Sequence, residues 1–175
     1  LIYAVLIILS TVTSKNPQIA LKGFIARYEG MLAWLCYLAL MLVIYNLVKT
    51  ESQIRFLLWA FLLSATVLGI IGLFQFFNMD IFRTDFGKRL ILPKIYHQYA
   101  AEVSFKFEET HVYSTLSNPN YIGSYMALAI PMAFAAFLYF KKLYLKIGSA
   151  LLIGVLSVGL FGSRSRAGLV GLAVC

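Results

Sequence analysis

The chain has 175 residues, of which 61% are apolar and 13% charged, and its mean hydropathy is +0.84. The apolar residues fall in long blocks instead of alternating with polar ones, which excludes an ordinary water-soluble core and predicts an all-α transmembrane helical bundle of the polytopic kind. The formal net charge of +8 does not signal nucleic acid, because the Lys and Arg sit between the blocks and no basic stripe is interleaved with aromatics.

In chain order the predicted spans are 1–13, 31–48, 54–77, 121–140, 147–162 and 167–175. At 1.5 Å per residue, about 20 residues cross roughly 30 Å of hydrocarbon. The second, third and fourth spans meet that length and the fifth nearly does. The two end spans are shorter, and the chain stops within the apolar run Leu169-Val170-Gly171-Leu172-Ala173-Val174-Cys175. It is therefore expected to be an internal piece of a longer protein, cut through a helix at each end. Leu1 to Ser10 lacks the basic leading region of a signal peptide.

If every span crosses, residues 14–30, 78–120 and 163–166 share one side and residues 49–55 and 141–146 share the other. The second side packs five basic residues (Lys49, Arg55, Lys141, Lys142, Lys146) and one acid, Glu51, into 13 positions, against ten basic residues and six acids in 64 positions on the first. Short loops dense in Lys and Arg stay cytoplasmic, so residues 78–120 are expected to be extracytoplasmic. This loop exceeds what a connector needs. Val103-Ser104-Phe105-Lys106-Phe107 alternates, Glu108-Glu109-Thr110 follows and Val112-Tyr113 resumes, which predicts a short β-hairpin. Upstream, Leu90-Ile91-Leu92-Pro93 and Ile95-Tyr96 are expected to dip into the membrane interface. His97 and His111 share the loop with Glu102, Glu108 and Glu109, but no spacing among them suits a metal, and no metal or cofactor is expected. Cys36 and Cys175 lie inside apolar blocks, where a thiol acts as a small hydrophobe.

The loop closes on Asn118-Pro119-Asn120, directly before a span. Asn118 suits an N-cap and Pro119 the first helical position, so a helix is expected to start here with its free amides turned outward, where they attract anions. Pro131 is expected to kink this span. In the next one, Ala150 with Gly154 and Gly159 with Ser163 form small pairs that allow close helix contact. Gly162-Ser163-Arg164-Ser165-Arg166-Ala167-Gly168 then sets two guanidinium groups against hydrocarbon on both sides, a placement that makes them either interfacial anchors or a site.

The run Thr115-Leu116-Ser117-Asn118-Pro119-Asn120-Tyr121-Ile122-Gly123-Ser124-Tyr125, followed by Ala129-Ile130-Pro131, resembles the T-x-x-N-P-N-hydrophobic-G-x-Y … P segment of the bacterial O-antigen ligase and polymerase superfamily. Ser165-Arg166-Ala167-Gly168 is similar to that family's S-R-[AG]-[AG] helix start, one span later. Arg27-Tyr28-Glu29-Gly30 before a span with Tyr37, and Gly69-Ile70-Ile71-Gly72-Leu73-Phe74-Gln75-Phe76-Phe77 at the outer end of another, agree with the pattern. The resemblance covers Arg27 to Leu172. Arg164 is extra to it, which leaves open which arginine serves.

The resemblance implies a metal-independent transferase of the cytoplasmic (inner) membrane. It would take glycan from an undecaprenyl-diphosphate donor and pass it to a hydroxyl of a glycan, lipid or protein acceptor at the outer face, in cell-surface polysaccharide biosynthesis. Arg166, Arg164, Asn118, Asn120 and Arg27 are the implied substrate-binding residues. Arginine suits a diphosphate leaving group because its planar fork donates bidentately. The family's base is sought in a histidine of a later outer loop, beyond Cys175; neither His97 nor His111 matches it, and the fragment alone is expected to be inactive. Two rivals remain at this stage. One is a transporter or channel, in which Arg166 would contact a translocated anion and kinked helices would rock around it, although no charged residue lies at the middle of any block and Gln75, the long polar side chain well inside an apolar run, sits close to its outer end. The other is a scaffold whose arginines only reach for headgroups.

Overall fold

The computed structural model describes residues 2–24 and 28–175. Among them are eight α-helices: α1 (Ile2–Val12), α2 (Pro17–Lys22), α3 (Met31–Leu47), α4 (Glu51–Phe76), α5 (Asp85–Ile91), α6 (Pro119–Tyr139), α7 (Leu143–Gly162) and α8 (Arg166–Val174). Short 3-10 turns cover Ile81–Arg83, Lys94–Glu102 and Ser114–Leu116. Three helices, α4, α6 and α7, are long and apolar enough to cross a membrane. The fifth expected span reaches that length because the helix begins at Leu143, before the apolar run does. Helix α3 has 17 residues, about 25 Å at 1.5 Å per residue, just short of a typical hydrocarbon core.

The chain forms two compact units, Leu1–Leu57 and Leu58–Cys175, with the boundary inside α4. In the first, α1 and α2 lie on α3. Tyr3 meets Trp34 edge-on at 6.3 Å between ring centroids, and Trp34 meets Tyr37 at 6.0 Å. No described residue of α1 or α3 is buried, so these helices present apolar side chains all round. The second unit has a core, formed by Leu62 and Ala65 of α4, Val112, the α6 residues Ile122, Met126, Ala129, Ile130, Ala133 and Ala136, and Leu156 and Leu160 of α7.

Helix α6 is the centre of that unit and packs against both α7 and α8. Ala129, Ala133 and Ala136 recur at helical spacing and are all buried, which gives α6 a flat face. Of the two small pairs in α7, Gly159 with Ser163 makes the contact: an added Cβ at Gly159 would lie 3.1 Å from Met126 Cε, and Ser163 is buried. Ala150 with Gly154 does not, since Ala150 is exposed and a Cβ at Gly154 would meet nothing within 4 Å. Helix α6 runs unbroken through Pro131.

The expected hairpin is absent. Among the described residues there is no strand, although Val103, Phe105 and Phe107 turn inward and Ser104, Lys106 and Glu108 outward at the predicted period of two. The predicted turn forms, with His111 N donating to Glu108 O at 3.1 Å. The ladder fails because its groups are used elsewhere. Arg83 Nη2 donates to the carbonyls of Phe107 at 2.6 Å and Glu108 at 3.0 Å, and Val112 N donates to Gly162 O at 3.1 Å. Upstream, Leu90, Ile91, Ile95 and Tyr96 are all exposed, on α5 and the 3-10 turn after it.

Candidate functional site

Two helix starts meet at one end of α6. Asn118 is extended, at φ −146 and ψ 122, with Pro119 opening the helix, and its side-chain oxygen accepts from Asn120 N at 2.9 Å. The predicted cap is therefore made. The second start is built from consecutive serines: Ser165 Oγ accepts from Gly168 N at 3.2 Å to cap α8. Ser163 Oγ in turn accepts from Ser165 N at 3.2 Å and donates to Leu160 O at 2.7 Å.

Glycines hold the two starts together. A Cβ added at Gly123 would fall on Ser165 and within 2.8 Å of Ser163 Oγ, and one at Gly168 would come within 2.7 Å of Gly123 O. Gly123 belongs to the first turns of α6 and Gly168 to the first turn of α8, so the N-termini of two helices lie side by side. The positive ends of both macrodipoles add at this place.

The two arginines differ in their surroundings. Arg164 sits just past the end of α7 with φ 51, in the left-handed region, at the step after a helix end where glycine is usual. Its Nη1 donates to Glu108 Oε2 at 2.7 Å and its Nη2 to Thr110 Oγ1 at 3.3 Å. Arg166 is the first residue of α8 and is exposed. Among the described residues no ion pair engages it. Asn120 is exposed on the first turn of α6, and Arg27 lies outside the described residues.

Behind these starts is a buried polar network that the sequence did not announce. Gln75, at the end of α4, is 1% exposed. Its Oε1 accepts from Tyr113 N at 3.1 Å and Ser114 N at 2.7 Å, and its Nε2 donates to Asp80 Oδ1 at 3.2 Å. Asp80 Oδ1 also accepts from Phe82 N at 3.0 Å, and its Oδ2 accepts from the Tyr113 hydroxyl. Arg83 Nε lies 3.4 Å from the same Oδ2 as an ion pair, without hydrogen-bond geometry. Ser114 Oγ donates to Leu68 O at 3.0 Å. Burial, and then the hydrogen bond to Asp80, push the Tyr113 phenol well above its ordinary value, so it stays protonated and donates. The available signals were Gln75 at the end of an apolar run, which needs partners once buried, and the i, i+3 spacing of Asp80 and Arg83.

Around the network, Phe105 and Phe107 pack on Tyr113 at 6.2 and 6.1 Å between centroids. A cleft of about 430 Å³ opens beside them, lined by Phe82, Phe105, Phe107, Tyr113, Thr115 and Ser117 among others; neither Arg164 nor Arg166 lines it. Among the described residues no group of His, Cys, Asp and Glu is placed to hold a metal. His111 Nδ1 stands 3.5 Å from Glu108 Oε2, and His97 Nε2 lies 3.1 Å from Leu92 O. No family model matches the chain, nor does any curated protein or solved structure.

Proposed function

We propose that the chain is part of a multi-pass glycan transferase of the O-antigen ligase type, held in the cytoplasmic membrane with residues 78–120 on the outer side. The donor on this reading is a glycan on undecaprenyl diphosphate, and the acceptor is a hydroxyl of a glycan, lipid or protein. The bond from the anomeric carbon to the phosphate oxygen breaks, the diphosphate leaves with the electron pair, and the acceptor oxygen takes its place while its proton passes to a base.

One observation carries the reading. The two stretches that resemble the family's motifs, far apart in sequence, pack together through Gly123, Ser163, Ser165 and Gly168, with a solvent-facing arginine that has no carboxylate partner among the described residues. Paired helix N-termini and a guanidinium suit the charge that develops on a leaving diphosphate. The neighbouring Arg164 is already neutralised by Glu108, which favours Arg166 as the donor-holding residue, with Asn118 and Asn120 fixing the adjoining helix start. The transporter reading gains no free intramembrane polar group from Gln75, which is bonded to Asp80, Tyr113 and Ser114.

The test uses the full-length protein in its own cells, with surface glycans and the undecaprenyl-linked pool as readouts. Arg166→Ala is expected to reduce transfer on the order of 100-fold or more, with the protein still in the membrane. Arg166→Lys separates recognition from anchoring, since lysine reaches a headgroup as well as arginine but lacks the bidentate fork. Full activity of the lysine variant refutes the assignment. Deletion of the gene should leave unligated polymer if the protein is a ligase and unpolymerised single units if it is a polymerase. Unchanged glycans and an unchanged pool refute both.

A further inference from the structure

Helices α4 and α7 touch at one level and separate at another. At Gly69 an added Cβ would lie 3.0 Å from Val155 Cγ1 and 3.3 Å from Leu156 Cδ2, so side chains of α7 pack directly on the α4 backbone there. Toward Trp59 on α4 and Tyr144 on α7 they leave a groove of about 440 Å³, whose walls include Leu62, Leu63, Leu145 and Leu152. Trp59 stacks on Phe140 at 5.3 Å between centroids, and both line the groove. The two aliphatic hydroxyls in the wall are already committed, Thr66 Oγ1 donating to Leu62 O at 2.8 Å and Ser149 Oγ to Leu145 O at 2.9 Å, which leaves the Tyr144 hydroxyl and the Trp59 indole as its remaining polar groups. The groove therefore asks for hydrocarbon.

Gly148 lines this groove, and a Cβ there would meet nothing within 4 Å. Glycine inside a helix is unfavourable, and here no packing neighbour requires it. Its effect is to keep the groove open. Beside the same end of α7 are Lys141, Lys142 and Lys146. Lys142 Nζ lies over the ring of the groove residue Tyr144 at 5.8 Å, and Lys146 Nζ over Phe137 at 5.6 Å. Among the described residues none of the three has a carboxylate partner.

We propose that this groove and the lysines beside it form a binding site for an anionic phospholipid of the leaflet that meets the α6–α7 turn, one acyl chain lying along Gly148 and the phosphate held by Lys141, Lys142 and Lys146. Walls that are mostly aliphatic and aromatic carbon favour an acyl chain over a polar ligand in the groove itself, and three uncompensated ammonium groups at its end select for negative charge. A neutral lipid would fill the groove and leave the lysines unanswered. The inference needs the chain to be in a membrane but is independent of any transferase activity.

The test is competition between phosphatidylglycerol and phosphatidylcholine for the purified full chain in mild detergent, read by native mass spectrometry. The fraction in which the protein is recovered is scored first, since recovery without detergent refutes the membrane reading itself. For the wild type, phosphatidylglycerol should be retained about tenfold or more over phosphatidylcholine. In the Lys141→Gln, Lys142→Gln, Lys146→Gln triple variant, whose changes are all outside the core, that preference should fall to near parity. Gly148→Leu should reduce retention of both lipids, because its side chain occupies the groove. Parity in the wild type, an undiminished preference in the triple variant, or undiminished retention in a folded Gly148→Leu protein would each overturn the proposal.

Discussion

Replacing Gln75 with leucine isolates what the buried network contributes, because the shape of the side chain is nearly kept and only its polar groups are lost. Two backbone amides, Tyr113 N and Ser114 N, lose their acceptor, and Asp80 Oδ1 loses one of two donors. A buried donor left unsatisfied costs about 1–3 kcal/mol, so the two amides together cost about 2–6 kcal/mol. Burial of leucine returns part of this, at most about 1.5–3 kcal/mol. Taking the middle of each range, about 4 less about 2, leaves a net loss of about 2 kcal/mol, which at about 2–4 °C per kcal/mol for a chain of this size lowers Tm by about 4–8 °C. Thermal unfolding in mild detergent, followed by circular dichroism, gives the number. Phe74→Leu is the matched control, since Phe74 is one residue away and 42% exposed, and it should shift Tm by little. Equal melting of Gln75→Leu and Phe74→Leu would refute the claim that Gln75 ties the end of α4 to the start of α6.

Five other positions give further tests, three of stability and two of topology. Gly123→Ala puts a methyl group onto Ser165 and near Ser163 Oγ, and should lower stability by about 1–3 kcal/mol; an unchanged Tm means that the two helix starts are not closely packed. Tyr113 has a raised pKa from an ordinary value of 10.0. Its contribution is therefore complete below that value and is lost as pH rises above it, so Tm should fall on the alkaline side, and by less in Tyr113→Phe; parallel curves for the two proteins contradict this. Arg164→Gly removes a side chain 55% exposed in its ion pair, worth about 0–1 kcal/mol, and relieves a left-handed backbone worth about 1 kcal/mol or more, so it should melt at or above wild type. In a background lacking Cys36 and Cys175, Thr110→Cys should be labelled by an impermeant thiol reagent on intact spheroplasts and Leu143→Cys should not; the reverse pattern removes the outer-face transferase.

Sequence alone determines what is local in this protein. Hydropathy over a window marks α4, α6 and α7 as long apolar helices, because the burial preference of a span is a sum over its own residues. Caps are local as well: an oxygen at Asn118 reaches an amide two residues on in its own chain, so Asn-Pro before an apolar run was enough to place the start of α6. The period of two over residues 103–108 was also legible, since it reflects which side chains turn inward.

Tertiary structure decided where the backbone groups of those residues bond. A strand needs a ladder, and the single protons of the Val112 and Tyr113 amides are given to Gly162 O and Gln75 Oε1, far away in the chain; no pattern within the segment carries that competition. Gln75 with Tyr113 and Ser114, Gly123 with Ser165, and Val112 with Gly162 are likewise contacts between distant parts of the chain, fixed only when α6 and α7 pack. The difference between the two arginines belongs here too. In sequence Arg164 and Arg166 are two positions apart and chemically identical. The end of α7 puts one in the left-handed region against Glu108, and the start of α8 turns the other out to solvent.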